Sequence, residues 1–341
     1  MKLMLITTFL FVNSSLSLNV PKTWNKVTIP FKSKARDWFI NRAETVGIPW
    51  TNLRNYYSSP LVNNQLIANK INITDIDLEY PSYYTKPFHG YDEGNLNWLA
   101  AQEAEAATLN IASGYWPNVE VSVAQSWMRT NTTDHVKLYM SGYNSNVVES
   151  IDSIKHVPIN YMIPRKILDI GCSIGFSTES FHNAFQTSKT WGLDLSPYFL
   201  SVAKYRQQNH NLNIQYVHAN AEKIPFEDEY MNLVTCNYLF HEVPFENTKN
   251  ILQEIYRVLS NNGVIAITDI EPDVINKKKD GILTPFRRWM FEITEPHIFS
   301  YYEHDMKMLL QEAGFSNIVK AKNDPVNSVW IAKKDCFVCD I

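Results

Sequence analysis

The run Ile167-Leu168-Asp169-Ile170-Gly171-Cys172-Ser173-Ile174-Gly175-Phe176-Ser177-Thr178 decides the fold. Apolar residues lead straight into Gly171 and Gly175, so a buried strand must turn sharply into a helix whose free backbone N–H groups face outward. That is a nucleotide-type site. Asp169 sits at the strand end, two residues before Gly171, where a carboxylate can pair with an ammonium group. Asp194 ends the second strand, twenty-three residues after Gly171, the place where an acid accepts from ribose hydroxyls. A third strand ends in Asn220-Ala221, which makes the combination far more specific than a lone Gly-rich loop.

Outward from this run, from Ile163 to Lys334, short β-branched stretches alternate with helical patterns: KILDIG, TWGLDLS, IQYVHAN, MNLVTCNYL and GVIAITDIE. Strand, helix, strand repetition predicts an α/β fold, a parallel sheet with helices on both faces. The pattern predicts a helix from Thr248 to Leu259, with Ile251, Leu252, Ile255 and Leu259 on one stripe and a stop at Gly263. Ser300-Tyr301-Tyr302-Glu303 has capping-box spacing and predicts a second helix that ends at Gly314. SNIVKAK and NSVWIAKK, separated by Asn323-Asp324-Pro325, predict an antiparallel hairpin at the sheet edge.

These residues resemble the class I S-adenosylmethionine-dependent methyltransferases, and within them the type-11 group that includes ubiquinone and menaquinone methyltransferases. The resemblance covers roughly Ile163 to Lys334 and implies a Rossmann-like, seven-stranded, mostly parallel sheet with an antiparallel C-terminal hairpin. The family's D-x-G-x-G-x-G motif corresponds to Asp169, Gly171, Ser173 and Gly175, with Ser173 at the middle glycine. Ser173 fits there if its backbone angle is ordinary, and its hydroxyl is then placed to contact the methionine end. The resemblance implies that Asp194 holds the ribose hydroxyls and that Leu195 flanks the adenine. Where the family has G-D-A-E, this chain has Ala219-Asn220-Ala221-Glu222; Asn220 keeps an acceptor for the adenine amino group but loses the charge. Asn237-Tyr238-Leu239-Phe240-His241-Glu242 matches the segment beside the reactive methyl, and L-x-E-x-x-R-V-L-x-x-x-G is present as Leu252, Glu254, Arg257, Val258, Leu259 and Gly263. S-adenosyl-L-methionine is the implied cofactor.

Residues 37–159 are rich in Trp, Tyr, Asn and Pro, with helix-like stretches at Asp37–Thr45 and Leu96–Asn110, and read as an irregular, mostly helical extension. Within it PFHGYDEGNLNW resembles extensions on plant and algal plastid methyltransferases, which implies a lid over the acceptor or a cap that covers the sheet. The extension precedes a domain at 160–335 and a tail at 336–341. Residues 1–20 have one early cation, Lys2, then an apolar stretch, then small polar residues, the layout of a secretory signal peptide. Residues 21–36 carry no acid, so they read either as a linker or as the second half of a two-part plastid presequence. Two sequons begin at Asn72 and Asn131.

Composition narrows the chemistry. The 341 residues are 45% apolar and 19% charged, with 31 basic against 35 acidic residues, so the basic surplus that a nucleic-acid partner requires is missing. The longest apolar run spans about ten residues, against the ~20 of a membrane-spanning helix. Cys172 reads as small packing filler, and Cys336 and Cys339 as a terminal pair or two free thiols. No Asp, Glu or His cluster has metal-ligand spacing. His241 is the candidate for orienting or deprotonating an acceptor near neutral pH. Trp289, Phe291, Tyr301 and Tyr302 are candidates for lining its pocket. The expected function is in-line methyl transfer to a small or lipophilic acceptor such as a quinone precursor. The competing readings are a catalytically silent binding subunit, suggested by Ser173 and Asn220, and a nicotinamide oxidoreductase, disfavoured by the missing G-x-G-x-x-G.

Overall fold

The computed structural model describes residues 36–142, 162–272 and 295–335. Two units divide the chain, 1–39 and 40–341; of the first, residues 36–39 are described and are helical, within a helix α1 that runs to residue 45. The second unit continues through α2 (Trp50–Ser58), α3 (Pro60–Ile73), α4 (Trp98–Tyr115) and α5 (Val121–Met140). There follow β1 (Lys166–Ile170), α6 (Phe176–Ala184), β2 (Lys189–Asp194), α7 (Pro197–Asn209), β3 (Ile214–His218) and β4 (Met231–Asn237). A 3₁₀ turn at Phe240–Glu242 leads to α8 (Phe245–Val258) and β5 (Leu259–Ile270). The chain closes with α9 (Ile298–Tyr302), α10 (Met306–Glu312), β6 (Phe315–Lys322) and β7 (Asn327–Lys334).

The strands form one seven-stranded sheet in the order β3-β2-β1-β4-β5-β7-β6. β1 to β5 run parallel, and β7 lies antiparallel between β5 and β6, so the expected C-terminal hairpin is present with β6 at the edge. The fold is Rossmann-like. From β1 the chain builds outward to β3 and then crosses to the other side as β4, which makes the gap between β1 and β4 the topological switch point where α/β sheets bind ligands.

Alternation along the strands fixes both faces. Ile167, Leu233, Val264 and Ala266 pack against Phe181 of α6, Phe185 at its C-terminal cap and Val136 of α5. Leu200 and Ala203 of α7 cover Ile214 and Tyr216 beside them. The opposite set, Leu168, Ile170, Val234, Cys236, Ile265 and Ile267, meets Ile251, Leu252, Ile255 and Val258 of α8 and Leu309 and Leu310 of α10. Each such burial contributes about 1.5–3 kcal/mol, so slipping a strand by one residue would expose a whole row.

The N-terminal helices dock on the same unit. Tyr57, Val62, Leu66, Ala100 and Ala101 form a cluster with Ile174, Phe199, Val202 and Tyr205. Arg206 of α7 bonds both Glu179 of α6, at 3.0 and 3.2 Å, and Glu105 of α4, at 3.3 Å, so a buried guanidinium joins the extension to the sheet domain.

Two helix expectations are corrected. The helix expected from Thr248 to Leu259 runs Phe245–Val258, and Gly263 is not what stops it: Leu259 already pairs with Met231, and the ladder then skips to Val264 opposite Leu233. Ser260 to Gly263 form the bulge between them, with Asn262 at φ +63°. Ser300 lies inside α9 and caps nothing; the cap is Asp305, whose side chain accepts from the Lys307 N–H at 2.8 Å to start α10. The Asn131 sequon is folded into α5, with its amide donating to the Asn323 carbonyl at 2.8 Å and Thr133 buried, whereas Asn72 is exposed. The leader-like residues 1–35, Trp289, Phe291, Cys336 and Cys339 lie outside the described residues.

Candidate cofactor site

The carboxyl ends of β1, β2 and β4 meet at the switch point. After Ile170 the chain turns through Gly171 at φ +69°, Ser173 at φ +50° and Gly175 at φ +90°, three left-handed residues within five. Ser173 therefore does not have the ordinary backbone angle its fit was expected to require. It is held there because its N–H donates to Asp194 Oδ2 at 2.8 Å. Gly175 admits no side chain, since a Cβ would lie 2.3 Å from the Tyr216 hydroxyl. At Gly171 a Cβ would meet Leu239 at 3.0 Å, so the loop surface toward residues 237–241 is bare backbone.

Four N–H groups of the loop itself are directed at the end of β2 and at the loop. Gly171 and Cys172 donate to the Leu193 carbonyl, Ser173 to Asp194 and Gly175 to the Cys172 carbonyl. The physical reason is that β1 and β2 are parallel neighbours with Ile170 opposite Leu193, which brings the end of β2 directly beside the turn. What the loop offers a ligand is shape and a nearby carboxylate.

Asp169 is fully buried, and its two oxygens accept from Ser177 at 2.6 Å, Thr178 at 2.7 Å, Thr235 at 2.8 Å and Asn237 at 3.2 Å. Burial raises its pKa, against those four donors. A carboxylate with four partners is filled, so Asp169 ties β1, β4 and α6 together beneath the loop rather than standing open to an ammonium group.

Asp194 is the acid at the surface of the site. Oδ1 accepts from the Ser196 N–H at 2.7 Å, while Ser196 caps α7 through Phe199 and reaches the Asn95 carbonyl of the extension at 2.7 Å. Burial pushes the Asp194 carboxyl up to about 6, opposed by the Ser196 and Ser173 N–H groups and raised further by Glu242. The Tyr84 hydroxyl, from the extension, also reaches this carboxylate. Tyr84 stacks on Tyr80 with 6.3 Å between centroids and 6° between planes. Tyr80 in turn meets His218 at 3.1 Å, and His218 spans to the Asp75 N–H and the Leu195 carbonyl. Because the Asp75 N–H can only donate, Nδ1 of His218 accepts and Nε2 carries the hydrogen.

Leu195 is half-buried beside Asp194, Ala221 is buried, and Asn220 is half-buried with its side-chain oxygen on the Glu222 N–H at 2.9 Å. The loop that carries them is fixed by the Glu254 and Arg257 pair: Glu254 accepts from the Ile224 N–H, and Arg257 donates to the carbonyls of Ile224 and Phe226. Asn237 lies at the end of β4 against Asp169. His241 is buried, with Nδ1 2.6 Å from Asp269. Burial pulls its pKa down, but Asp269 overrides this and holds the imidazole up to about 9. It carries a proton at neutral pH, so it is arranged to orient or donate before it can act as a base.

One grouping escaped the sequence reading. His89, held at φ +51° by the turn between Phe88 and Tyr91, lies 3.3 Å from Glu242 and 3.0 Å from Glu295. The three ligand-type atoms lie within 4.8 Å of one another, a spacing that could hold a cation. Burial disfavours the imidazolium, yet Glu295 and Glu242 hold His89 well above its ordinary pKa, so a proton bridges the carboxylates and latches the extension to the site. No signal in the chain foretells this, because the three residues come from segments far apart in sequence.

Residues 168–267 match the protein family described as methyltransferase domain. Over these residues the chain is similar to the S-adenosylmethionine-dependent methyltransferase domains of the type-11 group. The chain is similar to the demethylmenaquinone methyltransferase of Oceanobacillus iheyensis, 34% identical over 131 residues, which are 38% of this chain and 53% of that protein. It is also similar to the malonyl-[acyl-carrier protein] O-methyltransferase of Legionella pneumophila, 29% identical over 114 residues, 33% of this chain and 39% of that protein. Among solved structures it aligns with a SAM-dependent methyltransferase from Aquifex aeolicus, 18% identical, over 50% of this chain and 82% of that one, with a TM-score of 0.38. The chain spans about half the length of the curated relatives it matches. The bare loop at Gly171 and Gly175 and the carboxylate at Asp194 fit S-adenosylmethionine.

Proposed function

We propose that this protein is a methyltransferase that moves the methyl group of S-adenosylmethionine to a small acceptor by in-line transfer. The observation that carries this reading is the Asp194 carboxylate at the switch point, tied to the glycine loop through the Ser173 N–H. S-adenosylmethionine supplies an electrophilic methyl on its sulfonium, so the protein has only to position and shield. Asp194 receives the ribose hydroxyls, with Leu195, Asn220 and Ala221 around the base. The loop from Gly171 to Gly175 passes under the methionine end, with Asp169 setting its height from below. Asn237 to His241 flank the reacting end, where the ion pair of His241 and Asp269 fixes the wall. Tyr80, Tyr84 and the His89 latch close the extension over the site and exclude water.

A quinone-related acceptor is the runner within this reading that the curated relatives support, since demethylmenaquinone methyltransferases recur among them. The reading is tested by incubating the protein with S-adenosylmethionine labelled in the methyl group and a panel of phenols, quinols and carboxylic acids. Label transferred to one class supports it; tight cofactor binding without transfer to any of them favours the silent subunit. We also propose entry to the secretory pathway, or a plastid reached through it, on the order of charged, apolar and small residues in 1–20. A fusion of residues 1–40 to a fluorescent protein tests it, and uniform cytosolic signal overturns it.

A further inference from the structure

α5 presents Gln125 and Arg129 one turn apart, and so on one face of the helix. Gln125 is 7% exposed, and both atoms of its amide are shut off from solvent with no hydrogen-bond partner. Nε of Arg129 is in the same state. The rest of that guanidinium donates to the Thr108 hydroxyl at 2.8 Å and lies 5.2 Å from the centre of the Tyr238 ring, with no carboxylate paired to it among the described residues. Tyr238 follows Asn237 directly and stands at φ +59°, a strained angle for a tyrosine, with its N–H on the Thr268 carbonyl. Asn327 approaches the Tyr238 hydroxyl at 3.5 Å and keeps its own side-chain oxygen buried and unpartnered.

An unpaired buried polar group is costly, and several on residues around one tyrosine beside the cofactor loop call for a ligand that completes them. The two carboxylates that act on Tyr238, Asp324 and Asp269, are already filled. Asp324 accepts from the N–H groups of Val326 and Asn327 and from the Asn323 and Asn327 amides. Asp269 accepts from the N–H groups of Phe240 and Ile270 and from His241. The Arg129 guanidinium thus has no carboxylate hydrogen-bonded to it among the described residues, and its Nε–H is left without an acceptor.

We propose that Gln125, Arg129, Tyr238 and Asn327 form the head-group subsite of the methyl acceptor, and that this acceptor carries a carboxylate. The proposal rests on the methyltransferase reading for its place next to the reacting methyl. Arg129 meets the anion, Gln125 donates to it and accepts from a neighbouring hydroxyl, and the Tyr238 ring backs the guanidinium plane. A neutral quinone would leave the Arg129 Nε–H without a charged acceptor.

The test is calorimetry on the full chain, with and without saturating S-adenosylhomocysteine, using matched probes: 4-hydroxybenzoate against 4-hydroxybenzamide, and a short acyl carboxylate against its amide. The acid should bind at least about tenfold more tightly than its amide, the scale of one charge-assisted hydrogen bond. Arg129→Met should erase that preference while S-adenosylhomocysteine affinity holds, and Arg129→Lys should restore part of it. Equal affinity for acid and amide, a preference that survives Arg129→Met, or no binding of any probe overturns the subsite. Failure of S-adenosylhomocysteine to bind, with the acid preference intact, overturns the methyltransferase reading instead.

Discussion

The Ser173 N–H donates to Asp194 Oδ2 at 2.8 Å, so the glycine loop and the acid proposed to bind ribose are one mechanical unit. This bond holds Ser173 at φ +50°, where a side chain costs on the order of 1 kcal/mol. Ser173→Gly keeps the N–H and removes the strain. It should raise the melting temperature by about 2–4 °C and leave S-adenosylhomocysteine affinity within threefold, as scanning and isothermal calorimetry would read. A loss of affinity would mean that the serine hydroxyl itself touches the ligand.

Gly175→Ala places a methyl 2.3 Å from the Tyr216 hydroxyl and 3.1 Å from its ring, at φ +90°. The variant should lose at least about 2 kcal/mol of stability in urea unfolding. Because the Tyr216 hydroxyl is buried without a hydrogen-bond partner, Tyr216→Phe removes the nearest clash at little cost. The double variant should recover part of the loss; additive loss in the cycle would show that backbone strain alone sets it.

Asp194, raised to about 6, is ionised above that pH and protonated below it. Ribose hydroxyls donate best to the carboxylate, so S-adenosylhomocysteine affinity should fall as pH drops through 6. Asp194→Asn should bind weakly and without that inflection. A wild-type profile flat from pH 5 to 8 would remove Asp194 from the ligand's partners.

Burial pushes His135 down to about 4, with Nε2–H on the Lys322 carbonyl at 3.1 Å. Its folded pKa lies below the ordinary 6.5, so its contribution is whole above pH 6.5 and is lost as pH falls toward 4, by up to about 3 kcal/mol. Urea unfolding at pH 7.5 and 5 should show a smaller pH-dependent loss in His135→Gln than in the parent. Equal losses would place the acid sensitivity elsewhere.

The first strand, its loop and the acid of the second strand were legible because buried strands ending in glycine have few other solutions. The period also gave the apolar face of α8, and Gly314 the end of α10. Two other helix limits were misread for local reasons: Leu259 continues the α8 stripe, yet it pairs with Met231 because Asn262 and Gly263 supply a bulge. Ser300 has the right partner three residues on, but Asp305 is the cap that the chain uses. Asp169 was read as a ligand from its place at a strand end; only the three hydroxyls and one amide around it reveal that its oxygens are taken. Tyr84 over Asp194 and His89 between Glu242 and Glu295 join the extension to the domain across distances that no periodicity encodes. Tyr301, read as lining for the acceptor, packs on the main core, while the Tyr302 hydroxyl is buried without a partner.

The central claim is a methyl-donor site built on Asp194, and calorimetric titration of the full chain with S-adenosylhomocysteine and with NAD, on the parent and Asp194→Ala, tests it most directly. The account predicts micromolar binding of S-adenosylhomocysteine alone, weakened at least about tenfold in the variant by loss of charge-assisted hydrogen bonds. Binding of NAD in preference, or S-adenosylhomocysteine affinity unchanged by Asp194→Ala, would contradict it.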